Sequence, residues 1–283
     1  LVELDEAPPQ QIDAKALEEA LKIALLLNCE IFPVSQIMRK MVIDGSNTSG
    51  FQRTMLIAHS GAIKTSFGEV KIDAIALEED AARIVSKEKE KSIYRLDRLG
   101  IPLIEISTSP SMCSPEQVKE TALMIGEILR SCKVKRGIGT IRQDVNISIK
   151  NHNRVEIKGF QDPSMMIKTI DLEIERQTEE IKNNKKEGEV RNALPDGKTE
   201  FLRPLPGKAR MYPETDLPLL KISKQLLDKI KKSLPKLKSD IRAELEKQGL
   251  PPELISLVLE SKENLEEFET LIKLHEKDAS LVA

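Results

Sequence analysis

Three groups of residues in this chain have the types and spacing for chemistry on phosphate or carboxylate. The first is a pair of acids set in apolar runs. Glu105 stands between Ile104 and Ile106 in "PLIEI", and Glu78 follows Leu77 in "DAIALEED". An ionised carboxylate withdrawn from water is costly unless it is paired or binds a metal. Scattered carboxylates, completed by water and substrate phosphate, are a common way to hold magnesium. A structural ion pair, with Arg98 or Arg142 as the partner of Glu105, explains the same pattern.

The second group lies on an alternating run. Along "TIRQDVNISI" a pleated strand sends Ile141, Val145, Ile147 and Ile149 to one face and Arg142, Asp144, Asn146 and Ser148 to the other. In the run that follows, Val155 and Ile157 alternate with Arg154, Glu156 and Lys158. Two strands thus present acids and bases on one polar face, which is also what the wet side of an antiparallel sheet looks like. The third group is "VIDGSNTSGFQRT", Val42 to Thr54. A tight hairpin needs only a pair such as Asn-Gly, whereas here Asp44, Gly45, Ser46, Asn47, Thr48, Ser49 and Gly50 intervene. Either the loop is long and solvated, or its backbone N–H groups and hydroxyls hold an anion.

Other chemistries have little support. The chain has no G-x-x-x-x-G-K-[ST], G-x-G-x-x-G, H-E-x-x-H or G-x-S-x-G, so any nucleotide site is of an uncommon kind. His59, His152 and His275 are isolated and expected at the surface. With 44 basic and 46 acidic residues among 283, the formal net charge is −2. No global field draws nucleic acid, and RNA contacts must come from local patches. The most basic stretch runs through Lys221, Lys224, Lys229, Lys231, Lys232, Lys236 and Lys238. Trp is absent and aromatics reach 3%, against a base-stacking platform. Cys29, Cys113 and Cys132 lack C-x-x-C spacing, which argues against structural zinc and for a reducing, cytoplasmic setting. No apolar run approaches the ~20 residues of a membrane span.

These candidates need elements to position them. Asp13 can cap a helix through about Asn28, with Leu17, Ala20, Leu21, Ala24 and Leu25 on one face. From Val34 to about Ile75, short alternating runs with turns at "DGSNTSG", "HSG" and "SFGE" indicate antiparallel strands. "LEEDAARIV" has helical character, "SKEKEK" reads as a solvated loop, and "GIPLIEIS" as a short buried strand. Ser114, Pro115 and Gln117 carry the signature of a capped helix start, with Val118, Ala122, Ile125 and Leu129 facing the core. After the alternating hairpin comes a helix from about Pro163 to Ile181, then "KNNKKEGE", a linker or insertion point near 182–190. "LPDGKTEFLRPLPGKARMYPETDLP" is turn-rich and extended, and short helices fill the rest from about Ser223.

"MRKMVIDGSNTSGFQRT", "LEEDAARIV", "YRLDRLGIPLIEISTSP", "SPEQVKE", "RGIGTIRQDVNISI", "VEIKG" and "MYPETDLP" occur in this order. Together they resemble the E-subunit family of archaeal glutamyl-tRNA(Gln) amidotransferases, to which the bacterial B subunits are related. The resemblance implies an α+β fold: a cradle-type domain with a largely antiparallel sheet over 1–220, then an all-α helical domain over 221–283. It implies ATP-dependent phosphorylation of the glutamate carried by tRNA(Gln), then amidation by ammonia from an asparaginase-like D subunit. Glu78 and Glu105 match two magnesium-holding carboxylate positions of the family, and Asp144 falls in a motif lining the same cradle. Ser46, Asn47, Thr48, Ser49 and Arg53, with Arg142 and Lys158, are then expected to contact ATP.

The match is incomplete. The family's N-terminal strand, with a metal-binding Glu and His, has no counterpart here. Neither does an inserted domain like that of bacterial aspartyl-tRNA synthetases, expected near "KNNKKEGEV", nor the far C-terminal tail. A non-catalytic tRNA-binding or scaffold fragment of the same fold is therefore the rival expectation.

Overall fold

The computed structural model describes residues 9–137, 139–160, 162–205, 211–260 and 262–274. The chain divides into two compact units, Leu1–Leu234 and Pro235–Ala283. In the first, Asp13 opens helix α1 (Ala14–Leu26) by accepting the Ala16 N–H at 2.7 Å, which satisfies an amide the helix leaves unpaired. Its buried residues Leu17, Ala20, Leu21, Ile23 and Ala24 form the helix's apolar face. That face lies against the two longest strands of the main sheet.

The main sheet is built from β1 (Glu30–Ile31), β3 (Ile37–Met41), β4 (Phe51–Thr65), β5 (Gly68–Glu79), β8 (Pro102–Thr108) and β13 (Met211–Pro213), in the order β13-β3-β4-β5-β8 with β1 also on β4. All its pairings are antiparallel. Two small antiparallel pairs flank it: β2 (Val34–Ser35) with β14 (Leu220–Lys221), and β6 (Arg83–Lys87) with β7 (Ser92–Arg95). "SKEKEK" spans the tip of the latter.

"LEEDAARIV" is not helical: it holds the end of β5, a turn, and the start of β6. Glu78 is paired with Thr54 on one side and Leu103 on the other, and pairing on both edges overrides the helical preference of Leu-Glu-Glu.

Helix α2 (Pro115–Ser131) starts as its sequence predicts. Ser114 Oγ accepts the Gln117 N–H, while the Gln117 side chain accepts the Cys113 N–H instead of that of Ser114. The second sheet joins β9 (Gln143–Ile147), β10 (Val155–Phe160), β11 (Glu189–Ala193) and β12 (Thr199–Pro204), in the order β12-β11-β10-β9. Strands β10 and β11 are parallel because α3 (Met165–Lys182) crosses between them. Val145, Val155, Ile157, Phe160, Met166 and Ile170 form the core beneath, with Val118 and Ala122 of α2 against it. His152 departs from expectation. It is buried, between the Asn153 carbonyl and Glu180 Oε2.

Helix α4 (Lys224–Lys231) buries Ile230 and packs on α1 in the first unit. The second unit holds α5 (Lys238–Lys247), α6 (Pro252–Val258) and α7 (Lys262–Leu274), closed around Leu245, Ile255, Val258 and Phe268. The basic stretch from Lys221 to Lys238 is thus divided between the units. Lys236 pairs with Glu244 at 2.9 Å. Among the described residues no helix is long and apolar enough to cross a membrane.

Candidate active site

Strand register assembles the acids. Lys40 on β3 is opposite Gln52 on β4, Thr54 is opposite Glu78 on β5, and Ala76, two residues back along β5, is opposite Glu105 on β8. Paired residues, and residues two apart on a strand, share a face. The pleat therefore gathers Lys40, Gln52, Thr54, Glu78 and Glu105 on one side of the main sheet. Glu78 is buried and fully partnered: Lys40 Nζ is 2.6 Å and Thr54 Oγ1 2.7 Å from Oε1, and Gln52 Nε2 is 3.2 Å from Oε2. Glu105 keeps 53% of its side chain exposed, with Lys40 Nζ 3.9 Å from its Oε2. Its carboxyl is nonetheless held above the usual range, first by partial withdrawal from water and then by the negative charge of Glu78; Lys40 and Lys158 oppose this.

The second sheet brings one cation within electrostatic reach of Glu105. Lys158 on β10 donates to Asp144 on β9 and to Glu156, at 2.5 and 2.6 Å. Burial works against its charge, but these two acids hold its pKa above the ordinary lysine value. Its ammonium is also near enough to Glu105 to pull that carboxyl down. Glu78, Glu105, Lys158 and Asp144 are therefore linked. Arg98 and Arg142, the alternative partners for Glu105, instead both approach Asp80, at 3.8 and 2.9 Å.

Among the described residues no three His, Cys, Asp or Glu gather into a metal-binding group. The donor set is a pair of carboxylates that share the Lys40 ammonium, at 2.6 and 3.9 Å, and a metal ion would compete with Lys40 for the place between them. Magnesium commonly takes one or two carboxylates, with waters and phosphate completing its shell. The chemistry of the pair fits it.

The loop residues occupy the opposite face. Asn47, Thr48, Ser49 and Arg53, with Glu79 and Phe51, line a cavity of about 190 Å³. Arg53 shares its side of β4 with Phe51, and its guanidinium is engaged: Nε donates to Glu214 at 2.9 Å and Nη1 lies 3.4 Å from Glu79. Ser46 is outside the lining. Its amide and hydroxyl both donate to Asp44 Oδ1, at 3.0 and 2.6 Å. Asn47 is buried, and its Oδ1 finds no hydrogen-bond partner among the described residues. Arg142 stands apart from both groups, on Asp80.

Sequence reasoning passed over the partners. Lys40, Gln52 and Thr54 surround Glu78, and only the register of three strands reveals them. Arg39 and Glu214 were also missed. Glu214, fully buried, receives Arg39 through both Nε and Nη2, and Arg53 through Nε. Its carboxyl is lowered to about 2, chiefly by Arg39. Its place in "MYPETDLP" was the available signal.

The sequence matches known proteins over most of its length. Residues 4–228 match the GatB/GatE catalytic domain. The chain is 35% identical to the E subunit of the glutamyl-tRNA(Gln) amidotransferase of Methanothermobacter thermautotrophicus, with 96% of the chain and 65% of the relative covered. It is 37% identical to that of Pyrococcus horikoshii, over 84% and 59% respectively, and 54% identical to that of Methanocaldococcus jannaschii, over 64% and 29%. The first match runs over 403 aligned positions although the chain has 283 residues, so that relative carries internal sequence absent here. The chain spans about six-tenths of the length of the first two relatives, and its matched region establishes it as a member of the GatB/GatE catalytic-domain family.

Proposed function

We propose that this chain carries the kinase and transamidase site of a cytoplasmic tRNA-dependent amidotransferase, acting with an ammonia-supplying, asparaginase-like D subunit. The substrate is tRNA(Gln) charged with glutamate, whose side-chain carboxylate is phosphorylated by ATP and then amidated. The observation that carries this reading is the Glu78–Glu105 pair on an open sheet face, with Lys40 between its oxygens and Lys158 beside it. Glu78 and Glu105 would hold magnesium, which neutralises phosphate charge and favours in-line displacement. Lys40 and Lys158 offer cations to a phosphate or to the substrate carboxylate, and Asp144 holds the Lys158 ammonium in place. Thr54 and Gln52 fix the orientation of Glu78, so that geometry is set before substrate arrives.

The names of the relatives support the tRNA-dependent amidotransferase role, and the register-built carboxylate pair supports the phosphorylation step. The test is ATP cleavage by the chain with and without glutamyl-tRNA(Gln). Stimulation by the charged tRNA, and none by the uncharged form, is expected. Equal rates with both would remove the reading.

A further inference from the structure

The β6–β7 ribbon pairs with neither of the larger sheets. Two strands alone are marginal in water, so its attachment has to come from elsewhere. One of its faces supplies this. Tyr94, opposite Ile84, donates its hydroxyl to the Asp44 carbonyl. The neighbouring Gly45, at φ +81°, leaves the space that a Cβ would take from the Tyr94 ring.

The other face carries Arg83 directly opposite Arg95, an arrangement in which like charges repel. The chain has a second such pair, Arg39 opposite Arg53 on β3 and β4, and there the buried Glu214, with Asp216 and Glu79, neutralises it. Among the described residues no such acid lies between the ribbon's arginines. Arg95 reaches Asp97 at 3.5 Å, with 65% and 60% of the two side chains exposed, a contact worth little. Arg83 makes no ion pair among the described residues. Exposed Lys87, Lys89 and Lys91 follow at the tip, with Glu88 and Glu90 between them. Val85 and Ile93 are 60% and 42% exposed.

We infer that this ribbon is a docking element for an RNA backbone, in which the Arg83–Arg95 pair grips neighbouring phosphates. Cross-strand partners on one face hold their Cβ atoms ~4.5–5.5 Å apart, so two guanidinium groups are offered side by side and need an anion between them. Exposed Ile93, on the same face as Arg95, supplies apolar contact for the sugars. The inference rests on the proposed tRNA substrate and names where the chain meets it. The chain's net charge of −2 provides no general attraction, so the grip must be local.

The experiment is binding of an unacylated tRNA(Gln) transcript to the 283-residue chain over a range of salt concentrations. R83Q/R95Q should weaken binding and flatten the dependence of log affinity on log salt by roughly 1.4–1.8 units, at 0.7–0.9 for each phosphate no longer neutralised. R83K/R95K should restore the slope. Arg83 and Arg95 are both exposed, and an unchanged melting temperature confirms that each variant folds. A parent that binds the transcript while R83Q/R95Q matches it in affinity and slope overturns the docking element and leaves the proposed function standing. A parent that does not bind the transcript also overturns the docking element, while the proposed function is decided separately by ATP cleavage with the charged tRNA. Preference for polyglutamate over the transcript would assign the ribbon to an acidic protein and overturn the RNA inference.

Discussion

Arg39 and Glu214 lie 175 positions apart and meet through two hydrogen bonds, Nε to Oε2 at 2.8 Å and Nη2 to Oε1 at 2.5 Å. The contact fastens β13 to β3, where Tyr212 and Arg39 are cross-strand partners. Glu214 is held ionised down to about 2. A depressed carboxyl contributes stability that is present above its unfolded pKa of 4.5 and lost as pH falls toward 2. The shift corresponds to about 3 kcal/mol. Glu214→Gln should therefore lower the melting temperature of the first unit by roughly 6–12 °C at neutral pH, and the gap to the parent should close as pH falls through that window. A variant as stable as the parent at pH 7 would show that the two arginines do not depend on this acid.

Glu105→Gln keeps shape and removes a charge. Because Glu105 is half-exposed and repelled by Glu78, the variant should melt no lower than the parent. A raised acid costs stability as pH rises through its folded pKa, so the variant should lack that decline. ATP cleavage stimulated by glutamyl-tRNA(Gln) should fall ~100- to 1000-fold, by analogy with removing one preorganised transition-state donor. A lower melting temperature with the rate preserved would make Glu105 a structural residue.

Glu78→Gln should differ in kind. It leaves Lys40 with only Glu105, at 3.9 Å, and loses the Gln52 contact, because an amide nitrogen replaces the oxygen that accepts it, so both stability and rate should fall. Breaking a buried pair typically costs ~3–5 kcal/mol. Melting curves of the two glutamine variants, measured side by side, distinguish the buried partner from the exposed one.

Lys40→Met tests how the pair is poised. Lys40 opposes the upward shift of Glu105, so its loss should raise that carboxyl further. Manganese binding, followed by titration across pH, should then begin at higher pH. Above that midpoint it should be tighter than in the parent, because a competing cation has gone. A midpoint moved downward would contradict the arrangement.

Glu173 serves as a control remote from the acids. Burial alone would raise its carboxyl, but Arg176, Gln177 and Thr199 hold it low. Glu173→Gln should lower stability by ~3–5 kcal/mol and leave transcript binding intact. Abolished RNA binding in a folded variant would mean the second sheet's underside matters to recognition.

Local chemistry was legible where one residue decides. Asp13 and Ser114 announced their helices, and the alternation around Asp144 announced a hairpin with one polar face. Glu78 and Glu105 stood out because acids are rare in apolar runs. Non-local pairing was not legible. Nothing near Glu78 in the chain announces Lys40, which lies 38 positions away, and the helical character of "LEEDAARIV" hid a strand edge. Arg53 looked available to a phosphate because its acidic partner, Glu214, lies 161 positions on.

Consecutive glutamates on β5 serve opposite sides of one layer: Glu78 turns to Lys40 and Glu105, and Glu79 to Arg53. Parity along that strand thus acts as a switch with two settings. Deleting Ala76 would bring Glu79 into the place of Glu78 on the carboxylate face and press Glu78 into the buried position of Leu77, opposite Met55, leaving Arg53 without its partner on this strand. Deleting two would keep each facing its own side, displaced by ~7 Å along the strand. Members of this family should accordingly tolerate substitution in this strand far better than a gap of odd length.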